Sequence, residues 1–99
     1  MNAGNEREVR RLIEAILKRG CRVNVFDGEE TTVRQSNDAE EIFSALDTTE
    51  GDVLTMYSEG KRLGWFELIY CNAEDGSEVI HNHDMSDMCL GIYKELHPY

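Results

Sequence analysis

The chain has 99 residues, of which 40% are hydrophobic, and its ten basic and twenty acidic side chains give a net charge of −10. This length fits one domain, residues 1–99, with a core of its own, and the hydrophobic content excludes a disordered acidic tail. No apolar run approaches the ~20 residues of a membrane span. The polar first residues lack the apolar stretch of a signal peptide, so we expect a cytoplasmic protein.

The charge is distributed unevenly along the chain. Residues 1–34 hold seven basic and six acidic side chains, whereas residues 35–99 hold three basic and fourteen acidic ones, a net of −11. An excess that is confined to part of a chain can form a surface of one sign, and such a surface selects partners by charge.

Residues 4–20 are predicted to form an amphipathic helix. Apolar residues recur at i, i+3, i+4, i+7 and i+8 from Val9 to Leu17, which is the spacing of one helical face. Gly20 follows the last of them, where a left-handed cap is expected. The basic residues of this helix alternate with acids, and an acidic chain is repelled by phosphate, so we expect no direct binding of nucleic acid.

A hairpin and a second helix are predicted next. Residues 22–26 and 31–34 have the composition of strands, and Asp27 with Gly28 between them is a turn signal. Asn37 is a candidate cap for the helix that follows, with Glu40 three residues later closing a capping box.

Three further strands and a last helix complete the predicted order α-β-β-α-β-β-β-α. Strands are expected at residues 53–57, 64–71 and 78–81, with a loop over residues 58–62. The 64–71 strand is apolar on both faces and should be interior in its sheet. A helix over residues 86–96, capped by Asp84 or Ser86, ends the domain. Short connections favour an α+β fold with a mainly antiparallel sheet and the helices on one face.

His81 and His83 form the most suggestive chemical cluster. In an extended segment they project to the same side and can reach one metal ion, with Asp84, Cys89 or His97 completing a shell. The alternative is a polar strand end that leads into a helix cap. Cys21, Cys71 and Cys89 lack metal-site spacing and are expected to be reduced thiols.

No pattern of a catalytic site is present. The chain has no nucleophile elbow, dinucleotide-binding or phosphate-loop motif, and helical periodicity places Cys89 on an apolar face. We therefore expect no enzymatic activity and no cofactor.

Two motifs carry a resemblance to a family. The segments VFDGEE (residues 25–30) and GWFELIYCN (residues 64–72) resemble the VxDGEE hairpin and GWxxLxYGN strand of small acidic proteins encoded by phages and prophages. The chain departs from this pattern at Cys71, where glycine is expected, and at residues 81–83. The resemblance implies an anti-defence role, because small acidic phage proteins often block a nucleic-acid-binding surface, as anti-CRISPR and anti-restriction proteins do.

The leading hypothesis is a non-enzymatic, nucleic-acid-mimicking inhibitor that binds a basic host protein or ribonucleoprotein complex, such as a CRISPR effector, in the host cell. The expected contacts are exposed carboxylates in loops and on helix faces: Asp27, Glu29, Glu30, Glu40, Glu41, Glu74, Asp75 and Glu78. One alternative is a small metal-binding domain that uses His81, His83 and Cys89. Another is a homodimeric structural or adaptor domain that pairs through a sheet edge or through residues such as Trp65 and Ile69.

Overall fold

Three helices and five strands alternate along the chain in the predicted order. The computed structural model describes residues 1–48, 50–70 and 78–98. The elements are α1 (Ala3–Lys18), β1 (Arg22–Phe26), β2 (Thr31–Ser36), α2 (Ala39–Ser44), β3 (Gly51–Ser58), β4 (Lys61–Ile69), β5 (Ile80–His83) and α3 (Asp87–Leu96). The predicted α+β fold is confirmed.

The strands form one antiparallel sheet in the order β2-β1-β3-β4-β5. Strand β4 pairs with β3 on one side and β5 on the other, so the prediction of an interior strand is confirmed. It begins at Lys61 because Glu59 and Gly60, at φ values of 52° and 78°, make a tight two-residue turn in place of the predicted loop.

The core lies between one face of the sheet and the three helices. Alternate strand residues such as Val25, Leu54 and Phe66 are fully buried, and they meet the apolar stripe of α1 and Ile92 of α3. The smallest dimension of the domain is 21 Å, the thickness of about two layers at roughly 10 Å each. Among the described residues, no helix covers the second face of the sheet.

Two predicted boundaries are corrected by local hydrogen bonds. Asp38 caps α2 in place of Asn37, since its Oδ1 accepts from the backbone N–H groups of Glu40 (3.0 Å) and Glu41 (3.3 Å). Glu40 closes no capping box, because its carboxylate instead contacts Arg10 at 2.8 Å. The last strand runs from Ile80 to His83, later than predicted.

The predicted caps of the first and last helices are confirmed. Gly20 has a φ of +80° directly after the end of α1, the left-handed conformation that glycine adopts without strain. Ser86, one of the two candidates for the last helix, caps α3 by accepting from the backbone N–H of Cys89 at 3.3 Å.

Two glycines provide a matched test of how α3 packs on the sheet. A Cβ on Gly64 would lie 2.5 Å from Cys89 Sγ and 2.8 Å from Ser86 Oγ, and Gly64 has a φ of +152°. A Cβ on Gly91, exposed in α3, would meet nothing within 4 Å. We expect Gly64→Ala to lower the free energy of unfolding by about 2 kcal/mol or more through overpacking and backbone strain.

Gly91→Ala is the control, and it should raise the free energy of unfolding by about 0.5–1 kcal/mol through helix propensity. Urea unfolding of the two variants beside the wild type measures both values. Changes of the same sign and size would contradict the described contact between β4 and α3.

Candidate functional site

Several acidic side chains lie together at one end of the sheet. Because Phe26 pairs with Val53, and Gly51 with Ile69, the β1–β2 loop, the approach to β3 and the approach to β5 meet at this end. We name it the acidic end and define it by its six exposed or partly exposed acidic residues: Asp27, Glu29, Glu30, Asp47, Glu50 and Glu78. The described residues of these three connections include no lysine or arginine.

The β1–β2 loop is held by its first carboxylate. Asp27 Oδ1 accepts from the backbone N–H of Glu29 (2.8 Å) and of Glu30 (2.9 Å), and Asp27 N donates to Glu30 O at 3.0 Å. The bonds from Glu30 and Glu29 favour the charged carboxylate and hold the pKa of Asp27 below its usual value. Asp27 therefore shapes the loop, while Glu29 and Glu30 are exposed.

A buried carboxylate lies beneath the acidic end. Asp52 is 2% exposed, and its Oδ2 accepts from the Tyr70 hydroxyl (2.5 Å) and from Asp47 N (3.1 Å). Its Oδ1 is buried and has no hydrogen-bond partner among the described residues. Burial raises the pKa of Asp52, and the charges of Asp27 and Asp47 act in the same direction. Asp52 alternates with Leu54 and Met56, which places it on the core face, but it lies just outside the strand predicted at residues 53–57.

The same cluster attaches the first helix to the sheet. Asn5 Nδ2 donates to Tyr70 O at 2.7 Å, and the pKa of the Tyr70 hydroxyl is raised by burial and by its bond to Asp52. The N-terminal amine forms an ion pair with the Asp47 carboxylate, so part of the negative charge of Asp47 is offset. These bonds fix the positions from which the loops of the acidic end extend.

The other predicted contact residues do not join this surface. Glu40 and Glu41 lie in the first turn of α2, which follows the opposite end of β2. Glu40 forms an ion pair with Arg10, whose guanidinium lies 3.9 Å from the centroid of the Phe43 ring. Part of the charge of Glu40 is thus offset, whereas Glu41 is exposed. The predicted Glu74 and Asp75 lie outside the described residues.

The two histidines of the predicted metal site lie on opposite faces of the sheet. A register shift in the β4–β5 pairing leaves His81 with its Nε2 at 4.0 Å from Glu67 Oε1, on the face of the sheet that the helices do not cover. His83 faces the helices, with its ring 5.8 Å from the centroid of Phe66 and 4.7 Å from that of Tyr93. The prediction that they project to one side is wrong, because simple alternation does not hold through a bulge.

The thiols give no support to a metal or nucleophile site. Cys89 Sγ donates to Trp65 O at 3.6 Å, and burial raises the pKa of both Cys89 and Cys21 and so disfavours the reactive thiolate. Cys71 lies outside the described residues. Within residues 1–48, 50–70 and 78–98, no group of three or more His, Cys, Asp or Glu side chains is placed to hold a metal ion.

A concavity of about 330 Å³ adjoins the acidic end on the uncovered face of the sheet. The apolar side chains of Phe26, Val53 and Ile69 line it, and Glu50 and Glu67 contribute carboxylates. Trp65 and Ile69 were noted in the sequence as apolar residues of a second face. The cross-strand register was needed to show that β1 and β3 extend this surface.

Comparison with protein-family models, curated proteins and solved structures gives no match for this chain. The resemblance to small acidic phage proteins stays a prediction from the two motifs. In the part of the chain that the structure describes, no helix combines the length and the apolar composition needed to cross a membrane.

Asp52 should make the stability of the domain depend on pH. The raised pKa in the folded state means that the carboxylate is less favourable there than in the unfolded chain, whose ordinary Asp pKa is about 3.9. Stability is therefore lost as the pH rises from about 4 through the raised value. Relative to Asp52→Asn, the free energy of unfolding of the wild type should decrease as the pH rises above about 4.

Urea unfolding at a series of pH values measures this difference. In Tyr70→Phe, which removes one hydrogen-bond donor to the carboxylate, the loss should be larger than in the wild type. A difference between wild type and Asp52→Asn that stays constant with pH would contradict the account.

Proposed function

We propose that this protein is a non-enzymatic binding protein that docks its acidic end on a basic surface of a partner that handles nucleic acid. The observation that carries the proposal is the meeting of three chain connections at one end of the sheet, each with exposed carboxylates and none with a described lysine or arginine. Complementary charge steers association and excludes like-charged partners.

Hydrogen bonds hold the backbone of the acidic end in one conformation, which favours a specific contact over a non-specific electrostatic attraction. The β1–β2 loop is fixed by the Asp27 carboxylate, and the approach to β3 by the Asp47–Asp52–Tyr70 bonds. A loop whose backbone is held in place loses little backbone freedom on binding. Such a surface can occupy a cleft that otherwise receives phosphates, as a nucleic-acid mimic.

The motifs in residues 25–30 and 64–72 direct the choice of partner. Their resemblance to small acidic phage proteins makes a host-defence ribonucleoprotein, such as a CRISPR effector, the partner that we propose. The protein would act in the host cytoplasm by covering the effector's basic surface. Glu41, exposed on α2, is a candidate for a peripheral contact.

Charge neutralisation at the acidic end tests the proposal. In the triple variant Glu29→Gln, Glu30→Gln, Glu50→Gln, the dissociation constant for a purified CRISPR effector should rise by about tenfold or more, a loss of about 1.4 kcal/mol. Asp27 is left unchanged because it holds the loop. Biolayer interferometry at salt concentrations from about 50 mM to about 300 mM should show affinity falling with salt.

The control removes the same number of charges elsewhere. Glu14, Glu59 and Asp87 are exposed on α1, the β3–β4 turn and α3, outside the acidic end. The variant Glu14→Gln, Glu59→Gln, Asp87→Asn should change the dissociation constant by less than about threefold if the acidic end makes the contact. Equal losses in both triple variants, or binding that is indifferent to salt, would reject the proposed surface.

A further inference from the structure

The uncovered face of the sheet carries a partly exposed apolar surface. The side chains of Phe26, Val53, Tyr57, Trp65 and Ile69 alternate with core residues along β1, β3 and β4, so they point away from the helices. Phe26 is 39% exposed, and the other four are partly exposed. A contiguous apolar surface of this kind marks an interaction site. We name this surface the open face.

The cross-strand register arranges the open face in three rows. The central row is Asn24–Thr55–Trp65, in which each residue pairs with the next across the sheet. The row toward the acidic end is Phe26–Val53–Glu67, and the row on the other side is Arg22–Tyr57–Arg62. One outer row thus ends in a carboxylate and the other holds two guanidinium groups.

We propose that the open face binds a second copy of this chain in a symmetric, face-to-face dimer. The two-fold axis of this dimer lies between the two sheets and runs parallel to the central row. It places the Phe26–Val53–Glu67 row of one copy opposite the Arg22–Tyr57–Arg62 row of the second copy. Arg62 then faces Glu67, Tyr57 faces Val53, and Arg22 faces Phe26. These are an ion pair, an apolar contact and a cation–π contact, and each of them occurs twice by symmetry.

The charges of the open face favour a second copy over other occupants. Arg22, Arg34, Lys61 and Arg62 make no ion pair within the described part of the chain, whereas Arg10, Arg11, Lys18 and Arg19 are paired in the helical layer. Arg7 and Lys94, in the helical layer, likewise make no ion pair with a described residue. Within the sheet, the four cations lie toward the end opposite to the acidic end, and Arg22 donates to Gln35 O at 3.3 Å. When a second copy is turned so that its strands run in the opposite direction, its basic end faces the acidic end of the first copy. The charges of the two copies are then complementary.

The size of the open face fits a small, dissociable interface. Five strands of five, six, eight, nine and four residues, at about 3.3 Å per residue and about 4.8 Å apart, cover roughly 500 Å². Two copies would together bury about 1,000 Å², the lower limit for a specific interface and less than the standard of about 1,600 Å². The dimer would have four layers, α/β/β/α, with the two sheets about 10 Å apart and the strands aligned within about 30°.

The dimer is independent of the function proposed above. The loops of the acidic end extend beyond the last cross-strand pair, Gly51–Ile69, and lie at the two ends of the dimer. Loss of binding to a basic partner would therefore leave the dimer intact. Loss of the dimer would be seen in the protein alone.

Sedimentation equilibrium of the wild type and of charge-reversed variants tests the dimer. The wild type should approach twice its 11.3 kDa chain mass as its concentration rises to about 100 µM, and dissociate on dilution. Arg62→Glu and Glu67→Arg should each raise the dimer dissociation constant by about tenfold or more, because each puts two like-charged pairs in the interface.

Two further samples distinguish this pairing from an effect of net charge. If only net charge mattered, Arg62→Glu would weaken the dimer and Glu67→Arg would strengthen it, since the chain starts at −10. Row pairing predicts instead that both weaken it. It also predicts that the doubly substituted chain Arg62→Glu, Glu67→Arg, and an equimolar mixture of the two single variants, recover a dimer within about threefold of the wild type, since both restore opposite charges across the interface.

Controls keep the outcome decisive. Met85→Ser, at a side chain that is 73% exposed outside the open face, should leave the dissociation constant unchanged. Thermal melting verifies the fold of each variant, and Arg62→Gln and Glu67→Gln replace any reversal that fails to fold. A wild type that stays monomeric to about 100 µM, or a double variant that dimerises as weakly as the single ones, would overturn the proposal.

Discussion

The register of β3 against its two neighbours, β1 and β4, decides which side chains of this protein are core and which are surface. Leu54 and Met56 meet Val25, Val23, Phe66 and Gly64 on the face beneath the helices, and Val53, Thr55 and Tyr57 meet the residues of the open face. A shift of one residue would exchange the two sets and expose the core. The same register brings the three acidic connections to one end of the sheet.

Periodicity was sufficient to predict the element order from the sequence. The apolar stripe from Val9 to Leu17, the turn signal at Asp27 and Gly28, and the two-sided apolar strand after Gly64 each indicate one local structure. Two of the errors fall where a local irregularity replaces regular alternation. The β4–β5 bulge separates His81 from His83, and the positive φ of Glu59 shortens a loop into a turn.

The candidate site was only partly predictable, because a surface depends on which distant residues become neighbours. The sequence identified an acidic excess and the candidates Glu29 and Glu30, and the fold adds Glu50 to them. The fold also places Glu40 away from the acidic end. There Glu40 pairs with Arg10, which belongs to another helix and lies 30 positions away in the chain. The burial of Asp52 could not be predicted from the sequence for the same reason. Its carboxylate is bonded to Tyr70, which lies 18 positions away in the chain.

The cross-strand row Asn24–Thr55–Trp65 is the feature on which the account of both surfaces depends, and nuclear Overhauser effects between backbone protons measure it most directly. In isotope-labelled protein, the described register predicts contacts that join Thr55 to Asn24 on one side and to Trp65 on the other. Hα–Hα or HN–HN contacts that instead join Thr55 to Val23 or Val25, or to Gly64 or Phe66, would show a shifted register. That result would contradict the assignment of the open face and of the acidic end together.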